Sequence, residues 1–82
     1  MNKHPRIGRA DLVIVALLEE KALLDRASRA SKTCRPLWAH ASKEAGRAVR
    51  ALREQKDARA VRSILRTAQR WSAAAECEIK KR

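Results

Sequence analysis

Apolar residues in the C-terminal part of the chain recur at three- and four-residue steps. Val61, Ile64, Leu65, Ala68, Trp71, Ser72, Ala75 and Ile79 fall on one stripe at ~100° per residue. Leu37, Trp38, Ala41, Ala45, Ala48, Val49 and Leu52 fall on a similar one. Both stripes predict amphipathic helices with those residues turned inward. Carried past Leu52, the second stripe would bury Lys56 and Arg59, whereas the apolar positions there are Ala58 and Val61. That slip predicts a turn near 54–57. No Gly or Pro marks the turn, and one long helix is the alternative.

The N-terminal apolar residues follow a different rule. Leu12, Val13, Ile14, Val15, Leu17, Leu18, Leu23 and Leu24 point in nearly every direction around a helix axis. A helix apolar all round must be covered on more than one side. Either a second copy covers it, through Val13, Leu17 and Leu24, or helix 1 is wedged between the other two in a compact monomer. Ser31, Lys32 and Thr33 form a polar break, and Pro36 suits the first position of the next helix, where its missing N–H costs nothing. Asp57 is a natural N-cap. The expected architecture is all-α, a small antiparallel three-helix bundle with helices at about 11–31, 36–54 and 58–78, dimerised through helix 1 in one of the two alternatives. A flexible basic arm (1–9) and a basic tail (80–82) flank the single helical domain, 10–79.

Composition supports helix. The 82 residues include sixteen Ala and thirteen Arg but no Tyr or Phe, so strand formers are scarce and helix formers abound. The antiparallel arrangement would bring Trp38 and Trp71 to the same height, both in or beside the core as packing anchors. A chain this short buries a thin core. Cys34 and Cys77 form no CxxC, and two reduced thiols in a cytoplasmic protein are expected. A cross-link between them is conceivable by height but disfavoured, because Cys77 lies off the expected helix 3 stripe. The run Leu12–Leu18 is far below the ~18 apolar residues of a membrane helix, and the basic start mimics a signal peptide without a clear cleavage site. A soluble chain without a membrane role is expected; a basic amphipathic helix lying on anionic lipid would need bulkier apolar faces than the Ala and Val of helices 2 and 3.

Charge supplies the candidate chemistry. The chain carries a formal +11, and all of it falls in residues 26–82, since 1–25 hold four basic and four acidic side chains. On helix 3, Arg59, Arg62, Arg66 and Arg70 step by three and four, opposite the apolar stripe. On helix 2, Arg47, Arg50 and Arg53 do the same, with Lys43 alongside. Like charges at this spacing repel by a few tenths of a kcal/mol per pair. Only Glu44, Glu54 and Asp57 oppose them between 26 and 75. Guanidinium groups grip phosphate through bidentate hydrogen bonds, so this face points to nucleic acid, duplex or structured, held by its backbone. An acidic protein docked by a small basic regulator or inhibitor is the alternative partner, and a genome biased toward Arg and Ala codons is the bland explanation. His4, His40 and the acids form no catalytic or metal-ligand spacing, so no enzyme, cofactor or metal is expected.

Overall fold

The structure is a computed structural model that describes residues 8–81. Three α-helices follow one another: α1 (Arg9–Ala30), α2 (Arg35–Arg53) and α3 (Asp57–Lys80). The arm expected over 1–9 lies outside the described residues except for Gly8 and Arg9, and Arg9 already begins α1. Of the basic tail, Lys80 closes α3, Lys81 caps it, and Arg82 lies outside the described residues. Each helix runs antiparallel to the next. Ser28 reaches Arg35 at one end of the α1–α2 pair while Leu17 packs with Val49 toward the other. The middle helix α2 packs against both neighbours. No Cα of α1 comes within 8 Å of one in α3, so α1 is not wedged between the other two.

Local chemistry sets the breaks. At the start of α1 the Gly8 N–H donates to the Asp11 carboxylate at 3.2 Å. After α1, Arg35 turns back: its Nε donates to the carbonyls of Ser28 and Ser31, both at 3.1 Å. Those carbonyls have no partner inside the helix, and a cation beside them also opposes the negative helix end. The Ser31 hydroxyl accepts from the Cys34 N–H at 3.0 Å and ties the short connection together.

The α2–α3 turn is real, and it is built without glycine. Lys56 N–H donates to Ala51 O at 2.8 Å and Gln55 N–H to Leu52 O at 3.1 Å. This is the paired bonding of a Schellman ending, which requires a left-handed residue just past the cap. Gln55 takes that position with φ 60°. A side chain there costs about 1 kcal/mol relative to glycine. Gln55→Gly is therefore expected to raise the unfolding free energy by about 1 kcal/mol, less the entropy glycine adds to the unfolded chain, as read by urea denaturation.

Leu17 and Leu24 of α1 and Trp38 and Val49 of α2 are the large members of the core, and most of the rest is small. From α2 it takes Ala41, Ala45, Ala48 and Ala51, and from α3 Ala60, Ser63, Thr67 and Ala74. Side chains this short let the two helices approach closely, and the buried Thr67 hydroxyl satisfies itself on the Ser63 carbonyl at 2.7 Å. This corrects the expected phase of α3. Val61, Leu65 and Ile79 are exposed, Ile64 is half-buried, and Trp71 is 39% exposed while Trp38 is buried. Hydrophobic size favoured the Val61–Leu65–Ile79 stripe, but α2 presents an alanine face that only small residues can meet at close range.

The corrected rotation also turns Cys77 inward. Cys34 and Cys77 form a disulfide, with Cα atoms 6.1 Å apart. The expected pair of reduced thiols is thus replaced by a cross-link tying the α1–α2 connection to the end of α3. Beside it the Trp38 indole N–H donates to Glu78 at 2.8 Å.

A polar clasp joins α1 to α2. Ser42, buried, donates to Asp25, and Lys21 Nζ donates to both the Ser42 hydroxyl and Asp25 at 3.1 Å. The Ser42 hydrogen bond holds the Asp25 carboxyl below its ordinary value of 3.8, with Lys21 adding to the shift and partial burial opposing it. A carboxyl depressed in the folded state stabilises the fold fully above its unfolded value and loses that contribution as pH falls through the depressed one. Acid titration of stability below pH ~4 should therefore be shallower in Ser42→Ala than in the parent chain. Identical acid limbs by circular dichroism would show that the clasp carries no such linkage.

Candidate nucleic-acid interface

The α2–α3 seam opens into a groove on one side, of about 410 Å³. Arg47 and Arg50 line it from α2, and Arg59, Arg62 and Arg66 from α3. Ala51 and Ser63 lie in its floor, and Glu54 stands at the end nearest the turn. The reason is helical geometry. On each helix the small buried residues occupy one arc, so arginines three and four places apart, on the next arc round, project along the seam from both sides. No aromatic side chain lines the groove.

Few carboxylates neutralise it. Glu54 pairs with Lys56 at 3.4 Å rather than with a groove arginine in an ion pair. Glu44 is the stronger counter-charge: 3% exposed, it accepts from Arg47 Nη1 at 2.9 Å and lies 3.7 Å from Arg70 Nε through the same oxygen. Its second oxygen is buried with no hydrogen-bond partner among the described residues. Arg70, although on the expected stripe, does not line the groove and leans on Glu44 instead. Both arginine side chains remain largely exposed, so Glu44 steers them without withdrawing them from solvent.

The remaining expected residues lie on the same side of α2, toward α1. Lys43 lines a second hollow with Lys21, Gly46, Arg47 and Arg50. Arg53 borders a third with Leu18, Lys21 and Arg50. Arg47 and Arg50 therefore form a ridge shared by depressions on both flanks of α2. A cation missed by sequence reasoning, Lys21, joins this surface from α1. Its signal was visible: Lys21 sits in the Leu17–Leu24–Ser28 seam, an unusual place for a lysine unless its head group reaches a polar partner. The Lys21 stem passes over Gly46, where an added Cβ would sit 3.4 Å from Cε, in ordinary contact.

The expected dimer residues are placed differently. Leu17 and Leu24 are buried inside the chain against α2, and only Val13 of the three is exposed. On that side α1 is spent on α2. His40 is exposed. Among the described residues no helix is long and apolar enough to cross a membrane. Searches against protein-family models, curated proteins and solved structures return no match for the chain.

Proposed function

We propose that the protein is a non-catalytic nucleic-acid-binding protein that holds a phosphate backbone on its cationic face. The observation that supports this reading is the convergence of Arg47, Arg50, Arg59, Arg62 and Arg66 on one groove, where Glu44 pairs with Arg47 and the lining carboxylate Glu54 pairs with Lys56, so five guanidiniums outnumber the acids that face them. Apart from Arg47, which Glu44 engages, the groove arginines repel one another, and a polyanion relieves that repulsion. The groove has no stacking platform, which favours duplex or structured nucleic acid over single strands. Its arginines come from two helices and are spread along the seam, an arrangement that suits a phosphate backbone more than base edges.

The test is fluorescence anisotropy with labelled duplex DNA, duplex RNA and single strands from 50 to 300 mM salt. Five phosphate contacts predict a slope of log Kobs against log salt of about −4 to −5 on duplex DNA. A slope no steeper than about −1, with feeble binding at physiological salt, would transfer the face to an acidic protein partner.

A further inference from the structure

The cationic surface occupies one side of the three-helix layer, and the other side is apolar. On α3 the exposed residues Val61, Leu65, Ala68, Ser72 and Ile79 fall within an arc of roughly 60°, centred roughly 135° from the Arg59–Arg62–Arg66–Arg70 stripe. Val61 is 55%, Leu65 59% and Ile79 69% exposed. On α1 the packing seam of Ile14, Leu17 and Leu24 divides the helix. Leu18 and Lys21 flank it on the side that borders the cationic hollows. Val13, Ala16 and Leu23 flank it on the other, where Glu20 is the only charge between Leu12 and Ala27. The exposed face of α2 is Lys43, Arg47, Arg50 and Arg53, so its apolar half is turned toward this same back side.

The geometry points to a second copy of this chain, docked back to back through α3 and α1, as the cover of that face. Val13, Leu23, Val61, Leu65 and Ile79, each 38–69% exposed, gather on this side, and apolar side chains grouped on one face are the usual mark of a surface that a partner covers. Charge selects the occupant. An acidic partner would be drawn to the front, and a lipid surface needs cations and apolar groups on the same side of the molecule, whereas here they are opposed. A back-to-back pair instead sets the two cationic faces as far apart as the molecule allows, which minimises repulsion between two chains of +11. The contact is isologous, the same patch on both copies. It differs from a pairing through Leu17 and Leu24, which are buried within one chain.

Light scattering after size exclusion, on the full disulfide-bonded chain at about 50 µM, reads the mass. The expected value is twice the chain mass of 9.3 kDa. Val61→Glu with Leu65→Glu changes two exposed positions, and should give a monomer of unaltered helicity. Arg50→Glu with Arg66→Glu should remain a dimer. A parent chain at the single-chain mass, a Val61/Leu65 variant that stays dimeric, or dissociation caused by the arginine variant alone would each overturn the proposal. The consequence that the pair presents two phosphate-binding faces rests on the proposed function, but the mass does not. Anisotropy can therefore fail with the dimer intact, and the dimer can fail with phosphate binding intact.

Discussion

Arg62→Glu combined with Arg66→Glu is expected to weaken binding to duplex nucleic acid by about three orders of magnitude at 0.1 M salt. Each phosphate contact contributes about tenfold under those conditions through counterion release, so losing two gives about 100-fold. Reversal adds two carboxylates to a groove that would otherwise hold five guanidiniums and Glu54, and these repel the same phosphates. The salt slope should become shallower by about 2, which separates loss of contacts from loss of fold. Both positions are exposed on α3 and neither contributes to the buried arc of Ala60, Ser63, Thr67 and Ala74. Far-ultraviolet circular dichroism should therefore be unchanged. If the double variant binds as the parent does, with the same slope, the α2–α3 groove is not where phosphate sits.

Removing the disulfide should cost stability on a comparable scale. Cys34 and Cys77 are 43 residues apart, and closing a loop of that size in the unfolded chain is worth about 4 kcal/mol by the chain-entropy relation. The fold has little with which to absorb the loss. Beside Trp38 and Ile64, its α2–α3 interface is lined mostly by alanine, serine and threonine, each of which buries far less apolar area than leucine would. For a domain of this length about 4 kcal/mol corresponds to a fall in Tm of about 15–30 °C. Cys34→Ala with Cys77→Ala, or reduction of the parent chain, is the measurement, followed by thermal melting. A shift under about 3 °C would mean that packing and not the cross-link holds the disulfide end together.

These two experiments act at opposite ends of the molecule. The disulfide and the Trp38–Glu78 hydrogen bond fasten the end where α1 meets α2. The groove opens toward the Gln55 turn, at the other end of the α2–α3 pair. Mild reduction that leaves the helices folded at low temperature should accordingly leave the arginine groove in place.

Several features were legible in the residues themselves. Helix content followed from composition, and the three segments were bounded to within about two residues by Pro36, the polar break at 31–33 and the slip of apolar phase after Leu52. That Arg59, Arg62 and Arg66 share one arc of α3, and Arg47 and Arg50 one arc of α2, could be read from spacing; that the two arcs meet along the α2–α3 seam could not, because it depends on the rotation of α3. Helical periodicity is a local property, and local sequence is sufficient for it.

The rotation of α3 was not legible. Its bulky stripe, Val61, Leu65 and Ile79, has the larger hydrophobic transfer energy and should have faced inward by that measure alone. The inward arc is instead Ala60, Ser63, Thr67 and Ala74, because α2 offers alanines, and two helices lined with small residues can approach more closely than bulky ones. With the rotation went everything that depends on it: the Cys34–Cys77 bond, the exposure of Trp71, and the apolar back face. Lys21 is fixed at the cationic surface by Ser42, a residue on another helix that its head group reaches. The chain's own order of residues determined which segments are helical and which side of each carries charge. Which side meets a neighbour was decided by the match between two surfaces distant in sequence, a quantity that no single helix contains.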